Sequence, residues 1–202
     1  MMAKQRGKLI VISGPSGAGK STVVFKALEG RTDCCFSVSV TTRKPRPTEV
    51  DGREYFFVEP DRFKEMIAND ELLEHAEYVA NSYGTPREYV EKKLDEGLNV
   101  ILDIEVQGAL QVHEKMPEAV LIFFIPPTME ELEKRLRGRG TDSERKIQAR
   151  LYRAREEYEL ATFYDYIIVN DDADVAANEF SAIITAESCK YNNRKFYLSE
   201  VK

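Results

Sequence analysis

The residues Gly14-Pro15-Ser16-Gly17-Ala18-Gly19-Lys20-Ser21 satisfy the pattern G-x-x-x-x-G-K-S/T. In such a run the glycines let the backbone curl until its N–H groups point inward at phosphate oxygens, and the following helix adds partial positive charge at its N-terminus. Lys20 brings a full charge to the β- and γ-phosphates, and the Ser21 hydroxyl is a ligand for Mg²⁺. Together with Thr22, this stretch is expected to hold a nucleoside triphosphate. The motif says nothing about a second substrate.

A second candidate is Asp103, which ends the apolar run Asn99-Val100-Ile101-Leu102. An acid there can reach the Mg²⁺ shell, through water, as a Walker-B carboxylate does. Glu105 lies two residues on and shares one side of a strand with Asp103; from the residues alone it is equally an ordinary strand-end acid. Two arginine-rich stretches complete the inventory, TTRKPRP at residues 41–47 and RLRGRGTDSERKIQARLYRAR at residues 135–155. Each fits a solvated basic surface as well as an anion site.

The elements that must carry these groups are legible in outline. Lys8–Ser13, Asn99–Ile104, Val120–Ile125 and Tyr166–Val169 are short apolar runs, each followed by a helix-compatible stretch, beginning with a helix expected from Lys20 to about Glu29. Such alternation indicates an α/β fold with a mostly parallel sheet flanked by helices and ligand sites outside the carboxyl ends of its strands. The segment between the first two runs differs in texture, with an Asp51-Gly52 turn signal and the alternating stretch Glu54–Val58. It reads as an inserted substrate-binding subdomain. Gly138 and Gly140 suggest a mobile turn between two helices, and hence a helical lid. The boundaries expected are a core of residues 1–34, 97–134 and 156–202, an insertion at 35–96 and a lid at 135–155.

At 202 residues, 43% hydrophobic and 32% charged, the chain has the composition of one globular domain. No apolar run reaches membrane-spanning length, no signal-peptide pattern opens the sequence, and a cytoplasmic protein without a membrane partner is expected. Cys34, Cys35 and Cys189 are poorly spaced for a disulfide or zinc and read as buried free thiols. The net charge of −6 argues against nucleic acid as a partner, while leaving room for a small anionic ligand at a local positive cluster.

The segments SGPSGAGKST, FSVSVTTRKPRPTEVDGREYFF, LLEHAEY followed by SYGTP, VILDIEVQGA, RLRGRGTDSE and IIVNDD together resemble the guanylate kinases over about the whole chain. The resemblance implies a P-loop NTPase core carrying a GMP-binding subdomain and a lid, with Mg²⁺ as cofactor. The implied reaction is transfer of a phosphoryl group from ATP to GMP, and to dGMP, in guanine nucleotide metabolism. It implies that Arg43, Arg46, Tyr55 and Tyr83 hold the GMP phosphate, that Glu74, Ser39 and Thr85 read guanine, and that Asp103 serves both GMP and metal. One carboxylate can accept from the adjacent N1–H and N2–H₂ donors of guanine, a pair that adenine lacks. Position 85 carries Thr where Ser is more familiar, which keeps the hydroxyl donor. At Glu105 the family often has Asp.

By the same resemblance Arg135, Arg139 and Arg150 enter from the lid and join Lys20, Arg43 and Asp103 as catalytic groups, and Asn170 lies beside the ATP adenine. Without the resemblance, Asn170 is as readily a turn residue after a strand. The acceptor would be a phosphate whose second pKa is about 6, so no general base is needed. This agrees with His75 and His113 standing in no catalytic pattern. The rival readings are a kinase for another nucleoside monophosphate or small metabolite, and an interaction domain of the same fold that has lost its chemistry. Glu74 with the Arg43 and Arg46 pair opposes the first, and the intact Gly19, Lys20, Ser21 and Asp103 oppose the second. Whether the chain is a monomer or an oligomer cannot be read from its sequence.

Overall fold

A computed structural model of the chain describes residues 5–78, 80–138, 140 and 142–200. In chain order it contains β1 (Leu9–Ser13), α1 (Lys20–Leu28), β2 (Cys34–Phe36), β3 (Ser39–Thr41), β4 (Tyr55–Phe57), α2 (Pro60–Ala68), β5 (Leu72–Tyr78), β6 (Asn81–Pro86) and α3 (Arg87–Asp95). There follow β7 (Asn99–Asp103), α4 (Val106–Lys115), β8 (Val120–Ile125), α5 (Met129–Gly138), α6 (Glu144–Glu159), β9 (Tyr166–Val169) and α7 (Ala173–Cys189). Short helical turns at Leu160–Phe163, Tyr191–Arg194 and Tyr197–Glu200 complete the described chain.

The main sheet has the order β2-β7-β1-β8-β9, and its strands pair in parallel. Every residue of β1 is buried because both faces are covered. Ile10 and Ile12 join Ile122, Phe124, Val23, Val24, Phe180 and Ile184 on the face toward α1 and α7. Leu9 and Val11 join Val100, Leu102, Leu121, Val90, Leu94 and Val112 on the face toward α3 and α4. Full burial of each such side chain stabilises the fold by about 1.5–3 kcal/mol. Because the strands run in parallel, β1, β7, β8 and β9 end at one edge, bringing the loop after Ser13 together with Asp103 and Asn170.

The four apolar runs form the expected strands, and α1 starts at Lys20 as expected. The fifth strand, β2, has no apolar run to announce it: its three residues Cys34, Cys35 and Phe36 are only half-buried or exposed at the sheet edge. It pairs with β7 from Cys34↔Asn99 to Phe36↔Ile101, so the core sheet runs past residue 35, where the inserted segment was expected to begin. The cysteines are free, but the expectation that all are buried needs correction. Cys34 and Cys35 are half-buried and Cys189, at the end of α7, is exposed. Burial, reinforced by the neighbouring Asp33 charge, pushes the Cys34 thiol up to about 11.

The second sheet, ordered β4-β3-β6-β5, encloses a small core of Val40, Phe63, Met66 and Leu72 beneath α2. The helix pair expected around Gly138 and Gly140 is present as α5 and α6, which pack through Leu132, Leu136, Ile147, Leu151 and Ala154, a cluster distinct from the main core. Among the described residues no helix is long and apolar enough to cross a membrane.

Candidate active site

The loop between β1 and α1 forms because Gly14, Gly17 and Gly19 take positive φ values of 141°, 103° and 85°. At Gly19 a side chain is excluded twice over, by that φ and because a Cβ would lie 2.3 Å from Nδ2 of Asn170. Asn170 is 5% exposed and donates from Nδ2 to the Ala18 carbonyl at 2.7 Å, so the residue after β9 braces the loop from behind. Pro15 and Ala18 are buried, whereas Ser16, Ser21 and Thr22 face outward. Lys20 folds back to donate to the Gly14 carbonyl at 2.6 Å.

Asp103 lies beside Ile12 in the strand register and opens on the same cleft as Lys20. Desolvation by the surrounding protein raises its carboxyl pKa, opposed by the charge of Lys20. Ser21 and Asp103 thus offer hard oxygen donors on two sides of the cleft. Among the described residues no group of three or more His, Cys, Asp or Glu side chains could hold a metal by itself. The donor set therefore fits an ion of the Mg²⁺ type, which keeps waters and takes ligands from substrate phosphates, better than a closed protein cage.

Across the cleft, the second sheet collects the residues expected to bind the acceptor. Arg43 grips Glu49 through both terminal nitrogens, Nη1 to Oε2 and Nη2 to Oε1, each at 2.9 Å. Its guanidinium lies 5.3 Å from the Tyr55 ring centroid and 5.7 Å from that of Phe57. Tyr83 meets Tyr55 edge-on at 6.0 Å. Arg46 is exposed, and its main-chain N–H donates to the same Glu49 carboxylate at 2.8 Å. Glu49, which no sequence pattern singled out, ties the arginine loop together; the Arg43 hydrogen bonds hold its carboxyl below the usual range.

Glu74 is 6% exposed and accepts a hydrogen bond from Thr85 Oγ1 to its Oε1 at 2.7 Å. Burial raises its pKa, opposed by the Thr85 bond and reinforced by the charge of Glu105. The other oxygen, Oε2, lies over Gly108, where an added Cβ would come within 3.0 Å. The antiparallel register Val40↔Gly84, continued by one step, sets Ser39 against Thr85. The fold therefore brings Ser39, Glu74 and Thr85 together from three strands.

Two arginines of the expected lid touch the loop or the residue that braces it. Arg150 on α6 donates from Nη1 to Ser16 Oγ at 2.5 Å and pairs with Asp142 at 3.3 Å. Arg135 on α5 donates from Nη2 to the Asn170 carbonyl at 3.0 Å. Arg139 lies outside the described residues. Two groups missed by sequence reasoning also belong here. Arg153 links Glu105, at 2.6 Å, to Glu157, at 3.1 Å. Glu157 feels the charge of Lys20, and burial raises its pKa. The available signal was the i, i+4 spacing of Arg153 and Glu157 on one helix face.

Comparison with known proteins shows the family to which the chain is similar. The guanylate kinase family model matches residues 6–187. A guanylate kinase of Lactococcus lactis is 55% identical over 184 residues, 91% of this chain and 90% of that protein. One from Caldanaerobacter subterraneus is 49% identical over 199 residues, covering 98% of this chain and 97% of that one. The crystal structure of guanylate kinase from Anaplasma phagocytophilum aligns with a TM-score of 0.70 at 38% identity, covering 94% of this chain and 90% of that one.

Proposed function

The chain belongs to the guanylate kinase family, and on that premise we propose that the cleft between the loop at residues 14–22 and the second sheet is where ATP and GMP meet. The enzyme transfers a phosphoryl group from ATP to GMP, giving GDP. In our assignment the ATP phosphates lie on the backbone N–H groups of the loop with Lys20 against the β- and γ-phosphates, and the adenine lies on the side of Asn170. The GMP phosphate takes Arg43, Arg46, Tyr55 and Tyr83, while Ser39, Glu74 and Thr85 face the base. Ser21 would hold Mg²⁺ directly and Asp103 through water, and the ion would supply charge neutralisation for the ATP phosphates.

The chemical task is to align two anions that repel each other. Arg43 holds the acceptor phosphate in line with the γ-phosphate, where its oxygen attacks without needing a base. Lys20 and the lid arginines Arg135, Arg139 and Arg150 stabilise the charge that spreads over the transferring group. Closure of the lid over the loop excludes water, which would otherwise accept the same phosphoryl group. The modules proposed for this cycle are the core, a GMP-binding segment that follows β2 and carries the second sheet, and the lid at 135–155. Our reading sets the reaction in the cytoplasm, with dGMP as an alternative acceptor.

The observation that carries the choice of base is Glu74, a buried carboxylate with one oxygen taken by Thr85 and the other facing the pocket floor at Gly108. A site whose buried acceptor would be left unpaired rejects the wrong base by about 10⁴-fold. ADP release measured with ATP and Mg²⁺ and, in turn, GMP, AMP, CMP, UMP and dTMP tests the reading. Turnover confined to GMP is expected; comparable turnover with AMP would remove Glu74 as the base reader.

A further inference from the structure

Strand β5 is an edge strand, yet its edge is not left open. Its neighbour on the other side is β6, and the pairing slips: Leu72 faces Pro86 while His75 faces Gly84, so three steps on β5 match two on β6. The extra residue is a β-bulge, the device by which a strand re-aims one side chain. Here it falls across Leu73 and Glu74. Leu72 packs in the small core of the second sheet, Leu73 joins the main core, and Glu74 is also buried, so the bulge lies where both faces of β5 are covered. The direction of Glu74 therefore depends on what holds this bulge.

On the outer edge the bulge is held by one helix. Gln111 on α4 accepts from the His75 N–H through Oε1 at 3.1 Å and donates through Nε2 to the His75 carbonyl at 3.2 Å. A carboxamide offers a donor and an acceptor side by side, as a peptide group of a neighbouring strand would. One turn on, Lys115 donates from Nζ to the Leu72 carbonyl at 2.7 Å and reaches Asp70 at 2.6 Å. One turn back, Gly108 leaves the room that Glu74 Oε2 occupies. Gly108, Gln111 and Lys115 follow the i, i+3, i+7 spacing of a single helix stripe. The stripe brackets the bulge on both sides of Glu74.

We propose that Gln111 is the positioning residue for the base-reading carboxylate, acting as a one-residue surrogate strand that fixes the β5 bulge and so aims Glu74. The inference rests on the assignment of Glu74 to guanine. It makes base selection a property of α4, an element of the core, rather than of the second sheet alone.

Gln111→Met keeps the length of the side chain and removes both hydrogen bonds. With GMP and inosine monophosphate, which lacks the 2-amino group of guanine, kcat/KM for GMP should fall about tenfold. This is the size expected from losing two ordinary hydrogen bonds. The value for inosine monophosphate, which keeps the N1–H donor but not the 2-amino group, should fall less, so that the preference narrows, and KM for ATP should stay within about twofold. A residue that merely supported the fold would lower both acceptors equally and leave their ratio unmoved.

Glu74→Ala, run in parallel, separates two failures. If Glu74→Ala removes the preference and Gln111→Met does not, the inference about Gln111 is wrong and the base reader stands. If Glu74→Ala leaves the preference intact, the base assignment itself is wrong. Should Gln111→Met fail to fold, amide hydrogen exchange on the wild-type protein decides: the His75 N–H should be protected without GMP, and free exchange there overturns the inference.

Discussion

The loop at residues 14–22 and the acceptor pocket around Arg43 and Glu74 are both assigned to a nucleotide, and they are built in opposite ways. The loop is contiguous, and its binding groups are main-chain N–H groups whose direction follows from three glycines at positive φ. The pocket is scattered: Ser39 comes from β3, Glu74 from β5, Thr85 from β6, and the floor beneath Glu74 from Gly108 of α4. A backbone site tolerates exchange of most side chains along it, while a side-chain site depends on each neighbour that points a group. In the proposed assignment the loop adds only two side chains to its backbone, those of Lys20 and Ser21. The pocket carries several, each with a partner that must be in place first.

The comparison can be broken from either side. Lys20→Ala should have the largest effect, lowering kcat by about 10³-fold or more by the scale set by other phosphoryl-transfer groups. The melting temperature should barely move, because the Lys20 bond to the Gly14 carbonyl is a part-buried contact that the loop glycines do not need. Near-normal turnover would sink the assignment of the loop.

Arg43→Ala comes next. Losing charge-assisted bonds to the acceptor phosphate, each worth about 1.5–3 kcal/mol, should reduce kcat/KM for GMP by about 10- to 150-fold. KM for ATP should be unchanged in the same titrations, and a matching rise in both would show that the two regions are not separable. Gly108→Ala should act more gently. The added methyl would crowd Glu74 Oε2 at 3.0 Å, and a rise in KM for GMP of about fivefold is expected, within the range of a single weakened hydrogen bond. An unchanged KM would mean that Glu74 does not need its seat over α4.

The smallest expected effect is on stability and has the opposite sign from its effect on function. Burial raises the Glu74 pKa in the folded protein, so folding favours the protonated form. Its contribution is most favourable below the ordinary carboxylate pKa and is lost as pH rises through the folded value. Glu74→Gln removes the ionisation and should therefore stabilise the free protein at pH 7, by about 2–4 °C in melting temperature if the gain is about 1 kcal/mol. The gain should vanish near pH 4, and selection of GMP should be lost at both pH values. A variant less stable than wild type at pH 7 would show that the carboxylate is held by contacts worth more than its desolvation costs.

The same contrast explains what could be read in advance. β1, β7, β8 and β9 are announced by runs of apolar residues because a parallel strand buried on both faces must be apolar throughout. β2 is not, since Cys34, Cys35 and Phe36 lie at the sheet edge with only partial burial. Glu49 and Gln111 were invisible for a related reason. Each acts on groups, the Arg43 guanidinium and the His75 main chain, whose orientation exists only after the second sheet has formed. Arg153 and Glu157 sat within or beside an arginine-rich stretch that read equally well as solvated surface.

The sequence by itself determined the α/β core, the loop motif with Lys20 and Ser21, the acid at the end of β7, and, through its family-like segments, the residues proposed for the acceptor site. These are properties of contiguous stretches, where local φ preference and burial pattern leave few alternatives. Only the tertiary structure decided that Asn170 braces the loop, that Glu49 sets Arg43, and that the stripe Gly108, Gln111 and Lys115 holds the bulge carrying Glu74. Those contacts join residues far apart in the chain, and their worth comes from satisfying polar groups that become buried only when the two sheets and α4 are packed together.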